Sequence, residues 1–247
     1  MMLKLFLIRH GETDWSLSGQ YSGRADLALA ANGENEARQL GERVQPIVLS
    51  HVLTSPLRRS RQTCKLAGLD SEAIVDEDLS EWDNGDYEGK TSLEILANRN
   101  GWNIFRDGCP HGEMPSTISS RADRLIAKLV TLNGNVALFS HSHFGRVLAA
   151  RWIGLSIEYG QRLLLNTGSI SGLTYEHDRI DQPAIALWNS VSLGTFGSRN
   201  PESDAESKKR LAIERWENEG GEIRLVTQSN TKGGFDIKHV ALPKDTS

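Results

Sequence analysis

The sequence predicts an α/β protein, a three-layer sandwich in which a mostly parallel sheet is flanked by helices. Three observations lead to this fold class. Short apolar runs of strand length recur along the chain. Amphipathic or capped helical segments separate most of these runs, as in proteins built from strand–helix–strand units. The chain has 247 residues, of which 38% are hydrophobic and 24% charged, so it is long enough to bury a substantial core.

The predicted strands are short and mainly apolar. Residues 3–8 form a continuous apolar run, which is typical of a strand buried on both faces of a parallel sheet. Residues 135–140 repeat that pattern in the middle of the chain. The full set of predicted strands is 3–8, 51–54, 74–75, 135–140, 170–175 and 184–189.

The predicted helices follow turn or capping residues. Ala37, Leu40 and Val44 share one face of the first long helical segment. Ser55 and Pro56 suit the N-cap and the first position of the next helix. The predicted helices are 32–44, a segment from Ser55 onward, 93–99 within a long functional loop over 80–114, 119–132, and 145–153.

The character of the chain changes near residue 193. Residues 1–192 contain every predicted strand, so we expect them to form one globular domain. Residues 193–247 hold nine Lys or Arg and nine Asp or Glu, with few large apolar side chains. That composition predicts a polar C-terminal tail that is mostly flexible.

Composition also narrows the function and location. A net charge of −4 argues against a general nucleic-acid-binding protein, although a few arginines can still form a local pocket for a small anion. The apolar N-terminal run meets Arg9 too early for a signal peptide or a membrane span. Cys64 and Cys109 are too few for a disulfide framework and lack zinc-site spacing, so we expect reduced thiols, no metal and a cytoplasmic protein.

Two predicted strands end at a histidine. His10 follows residues 3–8 beside Arg9, and His141 follows residues 135–140. Because ligands bind beyond the carboxyl ends of the strands in open α/β sheets, we expect both histidines in one crevice. Arginine can grip two phosphate oxygens at once, and Gly11 removes a side chain where the backbone would approach a ligand.

Two further segments add charge to this crevice. Arg58, Arg59 and Arg61 lie at the start of a predicted helix, whose N-terminus itself attracts anions. Glu81 supplies a carboxylate beside the long loop. Each feature alone has a commonplace explanation, since a lone strand-end histidine is more often structural and arginines at a helix start usually form a solvated face. Their combination predicts a phosphoryl-transfer site.

These motifs together resemble those of the histidine phosphatase superfamily, in its phosphoglycerate mutase-like branch. Residues 7–13 read Leu-Ile-Arg-His-Gly-Glu-Thr, the signature that follows the first strand of that family. Residues 55–63 resemble its second block, and Glu81 falls on its proton donor. The resemblance covers roughly residues 3–190. It implies catalytic roles for Arg9, His10, Arg59, Glu81 and His141.

The resemblance implies a two-step mechanism that needs no metal or other cofactor. His10 attacks the phosphorus of a phosphate ester and is itself phosphorylated, and water then frees it. Arg9, Arg59 and His141 surround the transferring oxygens and match the charge that develops on them. Glu81 protonates the leaving alcohol and later takes a proton from water, so we expect it to be partly shielded from solvent.

A narrower resemblance points to the fungal type of sedoheptulose-1,7-bisphosphatase. The segments that carry it are residues 15–23, 81–89, 105–113 and 171–177. In that group the aligned residues help to bind the sugar bisphosphate, which implies substrate-binding roles for Tyr21, Ser22, Arg146 and His177. The chain departs from the group at Asn84, where an aromatic residue is usual, and in a shorter segment between 154 and 166. Both differences could reshape the far end of the pocket.

We therefore expect a phosphatase that hydrolyses a sugar phosphate, with sedoheptulose 1,7-bisphosphate as the best candidate. The alternative is a broad-specificity phosphomonoesterase. A phosphoglycerate mutase is less favoured, because the chain lacks the mutase-like basic stretch after its Glu81 block, and an inactive binding protein is opposed by the intact catalytic set. The expected partner is a small-molecule phosphate ester, with no nucleic acid or membrane, and a homo-oligomer stays open.

Overall fold

The structure is a computed structural model that describes residues 2–191. The sheet contains six strands, β1 (Lys4–Arg9), β2 (His51–Thr54), β3 (Ala73–Val75), β4 (Asn135–Ser140), β5 (Ile170–Tyr175) and β6 (Pro183–Ser190). Their order across the sheet is β3-β2-β4-β1-β5-β6. The four strands β1 to β4 are parallel, whereas β5 is antiparallel to both of its neighbours. The predicted mostly parallel α/β sheet is confirmed, and the predicted tail over 193–247 lies outside the described residues.

Five helices occupy the positions that the sequence predicts, with shifts at their ends, whereas the short helices Asp14–Ser18 and Ile104–Asp107 are not predicted by the sequence. The helices are α1 (Asp14–Ser18), α2 (Ala31–Val44), α3 (Arg58–Leu66), α4 (Ser92–Asn98), α5 (Ile104–Asp107), α6 (Pro115–Leu129) and α7 (Ser142–Trp152). The prediction that Ser55 caps α3 is wrong, because Leu57 is the N-cap. The Ser55 hydroxyl instead accepts a hydrogen bond from the Leu57 N–H at 3.2 Å, which closes a turn ahead of the helix.

The core consists of two apolar clusters on opposite faces of the sheet, because side chains alternate along each strand. In β4, Val136 and Leu138 join a cluster that includes residues of α6 and α7. Ala137 and Phe139 join a second cluster with residues of α2 and α3. The sheet is therefore the middle of three layers. None of the helices within residues 2–191 is long and apolar enough to cross a bilayer.

The parallel strands β1 and β4 place their carboxyl ends side by side. Arg9 pairs with Ser140 at the end of the two strands, and the His10 N–H donates to the Ser140 carbonyl at 3.0 Å. His10 and His141 therefore leave the sheet at the same edge. Gly11 meets the backbone of α2 there, since a Cβ on Gly11 would lie 2.3 Å from the carbonyl oxygen of Gly33. Helix packing, rather than the predicted approach of a ligand, explains this glycine.

Candidate active site

His10 is buried at the end of β1 with its tautomer defined by its neighbours. Its Nδ1 lies 2.7 Å from the carbonyl oxygen of Gly11, which can only accept, so Nδ1 carries the proton. The Nε2 atom then holds the lone pair, and the Arg59 Nε–H donates to it at 3.3 Å. Burial, followed by the charges of Arg59 and Arg9, holds the pKa of His10 well below its usual value. The imidazole is therefore neutral, with a nucleophilic Nε2.

Arg59 is the one arginine of the three at the start of α3 that is buried, whereas Arg58 and Arg61 are exposed. Three backbone carbonyls accept its guanidinium N–H groups at 2.7–3.0 Å, those of Ser22, Gly23 and Ala25. Burial lowers the pKa of Arg59, but a guanidinium starts so high that it stays charged at neutral pH. The segment before α2 thus fixes one positive charge directly beside the nucleophile.

His141 and Arg9 add two further buried polar groups beside His10. The rings of His10 and His141 lie 5.1 Å apart between centroids. His141 Nδ1 and Arg9 Nε are both buried without a hydrogen-bond partner among the described residues. Burial, then the charge of Arg59, keeps the pKa of His141 well below its usual value, so its ring is neutral. Arg9 Nε is a donor, and His141 Nδ1 is one if it carries the ring proton, so both suit the oxygens of a phosphoryl group beside the nucleophile.

Glu81 lies at the mouth of the same site and is 7% exposed, so it is shielded from most solvent, as expected for a proton donor. Its Oε1 accepts from the backbone N–H groups of Trp82 and Phe144, each at 2.8 Å, and its Oε2 from that of His143 at 3.1 Å. Two of these donors belong to the first turn of α7, where helix N–H groups have no partner within the helix. The start of α7 therefore holds the carboxylate in place.

One pocket joins part of this site to a second set of polar side chains, whereas Arg59 and His141 are not among its lining residues. Arg9, His10 and Glu81 line it together with three of the four predicted substrate-binding residues, Tyr21, Ser22 and Arg146. The remaining lining residues are Ser16, Gln20, Ser142 and His143. The sequence motifs did not assign His143 to the site, although its position two residues after His141, within the first turn of the following helix, could have indicated it.

The far wall of the pocket is held by aromatic packing. The Tyr21 ring stacks on His143, with centroids 5.4 Å apart and planes 14° from parallel, and its edge meets Trp102. The Arg146 guanidinium lies 4.6 Å from the Phe105 ring centroid, and its Nε–H donates to a backbone carbonyl at 2.8 Å. Because these contacts fix the side chains before any ligand arrives, the wall is preorganised for binding.

The structure separates His177 from this pocket. The antiparallel strand β5 begins at the site edge, where Ile170 pairs with Ile8, and runs away from it. His177 follows the end of β5, near the end of the sheet where β1 begins and away from the site, and its side chain is 84% exposed. This placement does not fit the predicted role in substrate binding, because the strand carrying it runs in the other direction from β1.

Asn84 also differs from its predicted effect on the pocket. Its side chain is fully buried, and the residue does not line the pocket. The Cys109 Sγ lies 3.9 Å from the Asn84 Oδ1, so the Asn84 side chain packs inside the loop over 80–114. The short segment over 154–166 packs against the site through the Arg146 hydrogen bond to Gly160. The segment over 154–166 therefore contacts a pocket residue, Arg146, and can influence the shape of the pocket.

Known proteins match this chain over the region that forms the sheet and the pocket. The sequence model of the histidine phosphatase superfamily, branch 1, matches residues 5–190. Sedoheptulose 1,7-bisphosphatase of Saccharomyces cerevisiae is 34% identical over 248 aligned positions, covering 74% of this chain and 92% of the yeast protein. An acid phosphatase of Mycobacterium tuberculosis is 36% identical over 178 positions, covering 70% of this chain and 87% of that protein.

Solved structures agree with the sequence matches. The structure of the open reading frame Rv3214 from Mycobacterium tuberculosis has a TM-score of 0.72 and 34% identity, covering 76% of this chain and 97% of that one. An α/β sheet with two neutral histidines and buried arginines at its carboxyl edge defines the class, which is that of phosphate-ester hydrolases. The chain belongs to the histidine phosphatase superfamily, branch 1, and is a phosphoric monoester hydrolase.

Proposed function

We propose that this chain hydrolyses a phosphorylated sugar through a phosphohistidine at His10, with sedoheptulose 1,7-bisphosphate as the best candidate substrate. The observation that supports this most is the shared pocket. The nucleophile and Glu81 line the same pocket as Tyr21, Ser22 and Arg146. A substrate whose phosphate lies at His10 would therefore place the rest of its carbon skeleton among those side chains.

The first half of the reaction transfers the phosphoryl group to the protein. The lone pair on His10 Nε2 attacks phosphorus, and the bond between phosphorus and the ester oxygen breaks. Arg9, Arg59 and His141 bind the three non-bridging oxygens, and the two arginines balance their negative charge. Glu81 gives a proton to the leaving oxygen, which departs as an alcohol.

The second half returns His10 to its starting state. Glu81, now a carboxylate, takes a proton from a water molecule as its oxygen attacks phosphorus. The Nε2–phosphorus bond breaks, its electrons return to the imidazole, and inorganic phosphate is released. The three backbone N–H donors support this second step, because they hold the Glu81 carboxylate in one orientation.

The far wall supports a substrate that is polar and mostly uncharged between its phosphates. Its residues are hydroxyl, amide, phenol and imidazole groups, Ser16, Gln20, Tyr21, Ser22, Ser142 and His143. Such groups pair with sugar hydroxyls by neutral hydrogen bonds. Arg146 is the one cation among the lining residues beyond the phosphoryl site, and it suits a second phosphate.

A broad-specificity phosphatase is the second candidate, and a difference in length from the yeast relative supports it. The alignment spans 248 positions but includes only 74% of this 247-residue chain. Some aligned positions are therefore residues of the yeast protein that have no counterpart in this chain. The relative from Mycobacterium tuberculosis is named an acid phosphatase. A shorter wall around the sugar would relax selection among phosphate esters.

A panel of phosphate esters tests the proposal. Phosphate release is measured with sedoheptulose 1,7-bisphosphate, fructose 1,6-bisphosphate, sugar monophosphates, 3-phosphoglycerate and p-nitrophenyl phosphate. We expect the highest kcat/KM for a sugar bisphosphate. Equal values for all esters would instead assign broad specificity, and interconversion of phosphoglycerates without phosphate release would make the protein a mutase and overturn the proposal.

A further inference from the structure

Ser55 is a buried residue that contacts His141 from the turn between β2 and α3. Its hydroxyl oxygen lies 2.7 Å from His141 Nε2. Its backbone N–H donates at 2.9 Å to the carbonyl of Phe139, two residues before His141. Because the backbone of Ser55 is bonded to β4 and its side chain is fully buried, the hydroxyl is held against the imidazole.

The hydrogen bonds around Ser55 select one arrangement of protons. Its oxygen already accepts the Leu57 N–H at 3.2 Å, so its own proton needs an acceptor. His141 Nε2 is the acceptor at hand if it carries a lone pair. In the opposite arrangement, with a proton on Nε2, the serine oxygen would accept both hydrogen bonds, and neither of these two neighbours could accept its buried O–H.

We infer that Ser55 is a positioning residue that donates its O–H to His141 Nε2 and so keeps the proton of His141 on Nδ1. This inference rests on the proposed function, because the tautomer matters for catalysis only if His141 binds the phosphoryl group. Among the described residues Nδ1 is buried without a partner, and the ring lies beside His10. With the proton on Nδ1, His141 presents a donor to phosphate, whereas the other tautomer would present a lone pair that repels it.

Both histidines of the site then have their tautomers fixed by a neighbour. The Gly11 carbonyl keeps the proton of His10 on Nδ1 and frees Nε2 for attack. Ser55 keeps the proton of His141 on the same atom and thereby makes it a donor. One histidine acts through its lone pair and the other through its N–H, and a different neighbour fixes each role.

The test has a spectroscopic part that needs no substrate. Long-range 1H–15N correlation spectra of the free, 15N-labelled protein near pH 7.5 report which ring nitrogen of a histidine is protonated. The signals of His141 are identified by their absence in His141→Gln. We expect a protonated Nδ1 and a bare Nε2 in the wild type, and a mixture of tautomers in Ser55→Ala. A protonated Nε2 in the wild type would overturn the inference, whatever happens to the variant.

The kinetic part uses a matched control. Ser55→Ala should lower kcat about 10- to 100-fold, less than the loss of a whole oxyanion donor, because His141 itself remains. Ser171 is also fully buried, and its hydroxyl also accepts a backbone N–H, from Asn189 at 2.9 Å, but Asn189 does not line the pocket. Ser171→Ala should keep kcat within about threefold.

An unchanged tautomer of His141 in a folded Ser55→Ala protein would overturn the inference independently of the proposed function. In a protein that hydrolyses phosphate esters, an unchanged kcat in Ser55→Ala, or an equal loss in Ser171→Ala, would also overturn it. If the wild type hydrolyses no phosphate ester, the proposed function fails, and the tautomer of the free protein still shows whether Ser55 acts on His141.

Discussion

His10 and His177 each follow a strand of the same sheet, and the sequence around each is compatible with a ligand site. The structure places them at opposite ends of the strands, because β1 and β4 are parallel whereas β5 is antiparallel to β1. His10 is 3% exposed and surrounded by arginine, whereas the His177 side chain is 84% exposed and lies 3.9 Å from the carboxylate of its neighbour Glu176. Strand direction therefore separates a histidine suited to catalysis from one on the surface.

Replacing His10 should have the largest effect and tests one side of this comparison. His10→Ala removes the attacking nitrogen, so kcat should fall by more than about 1,000-fold on every substrate. The thermal unfolding curve should remain cooperative, because the ring is bonded to few core groups. Activity within tenfold of the wild type in a folded variant would rule out His10 as the nucleophile.

Glu81→Gln should have the next largest effect and separates the two halves of the reaction. We expect a fall in kcat of about 100- to 1,000-fold on a sugar phosphate, whose alcohol needs a proton to leave. p-Nitrophenolate leaves without one, so the variant should give a rapid burst followed by slow turnover. Stopped-flow absorbance measures the burst, and its absence together with equal losses on both substrates would contradict the assigned role.

Arg146→Met tests whether a pocket residue, unlike the exposed His177, contributes to substrate binding. The apolar methionine side chain keeps a contact with Phe105, while the charge that suits a second phosphate is lost. A hydrogen bond to a charged group is worth roughly 1.5–3 kcal/mol, so kcat/KM for a bisphosphate should fall about 10- to 100-fold. On p-nitrophenyl phosphate the change should stay within about threefold. Equal losses on the two substrates would assign Arg146 a structural role.

His177→Ala should have the smallest effect. Because the residue lies at the other end of the strands from the site, kcat/KM should stay within about twofold on both a bisphosphate and p-nitrophenyl phosphate. Steady-state kinetics of this variant beside Arg146→Met provide the matched pair. A selective loss on the bisphosphate would return His177 to the substrate site and require a rearrangement of the end of β5.

Much of the fold could be predicted because strands and helices leave local patterns. The limits of β4 and β5 match the predicted ranges, and in β4 a continuous apolar run between polar residues marks the buried strand. The predicted start of α3 is wrong because Ser55 and Pro56 fit a capping pattern, while the Ser55 hydroxyl is committed to a turn and to His141. That competition involves a partner 86 positions away, which no local pattern records.

In the candidate site too, local motifs predict some residues, while others depend on the assembled fold. Motifs of contiguous residues identified His10, Arg59 and Glu81, because each motif carries its own chemistry. The placement of His177 depends on which strands are neighbours and on their direction, and the stacking of Tyr21 on His143 joins residues far apart in the sequence. The direction of a strand is a property of the assembled sheet, so it cannot be read from a short apolar run.

The most direct test of the phosphohistidine mechanism is to find the phosphoryl group on the protein. The enzyme is mixed with 32P-labelled substrate, quenched in alkali within milliseconds, where phosphohistidine is stable, and digested for mass spectrometry. The mechanism predicts label on Nε2 of His10, none in His10→Ala and, with 32P-labelled p-nitrophenyl phosphate, accumulation of that label in Glu81→Gln. Phosphate release at the wild-type rate with no labelled His10, or label on another residue, would contradict it.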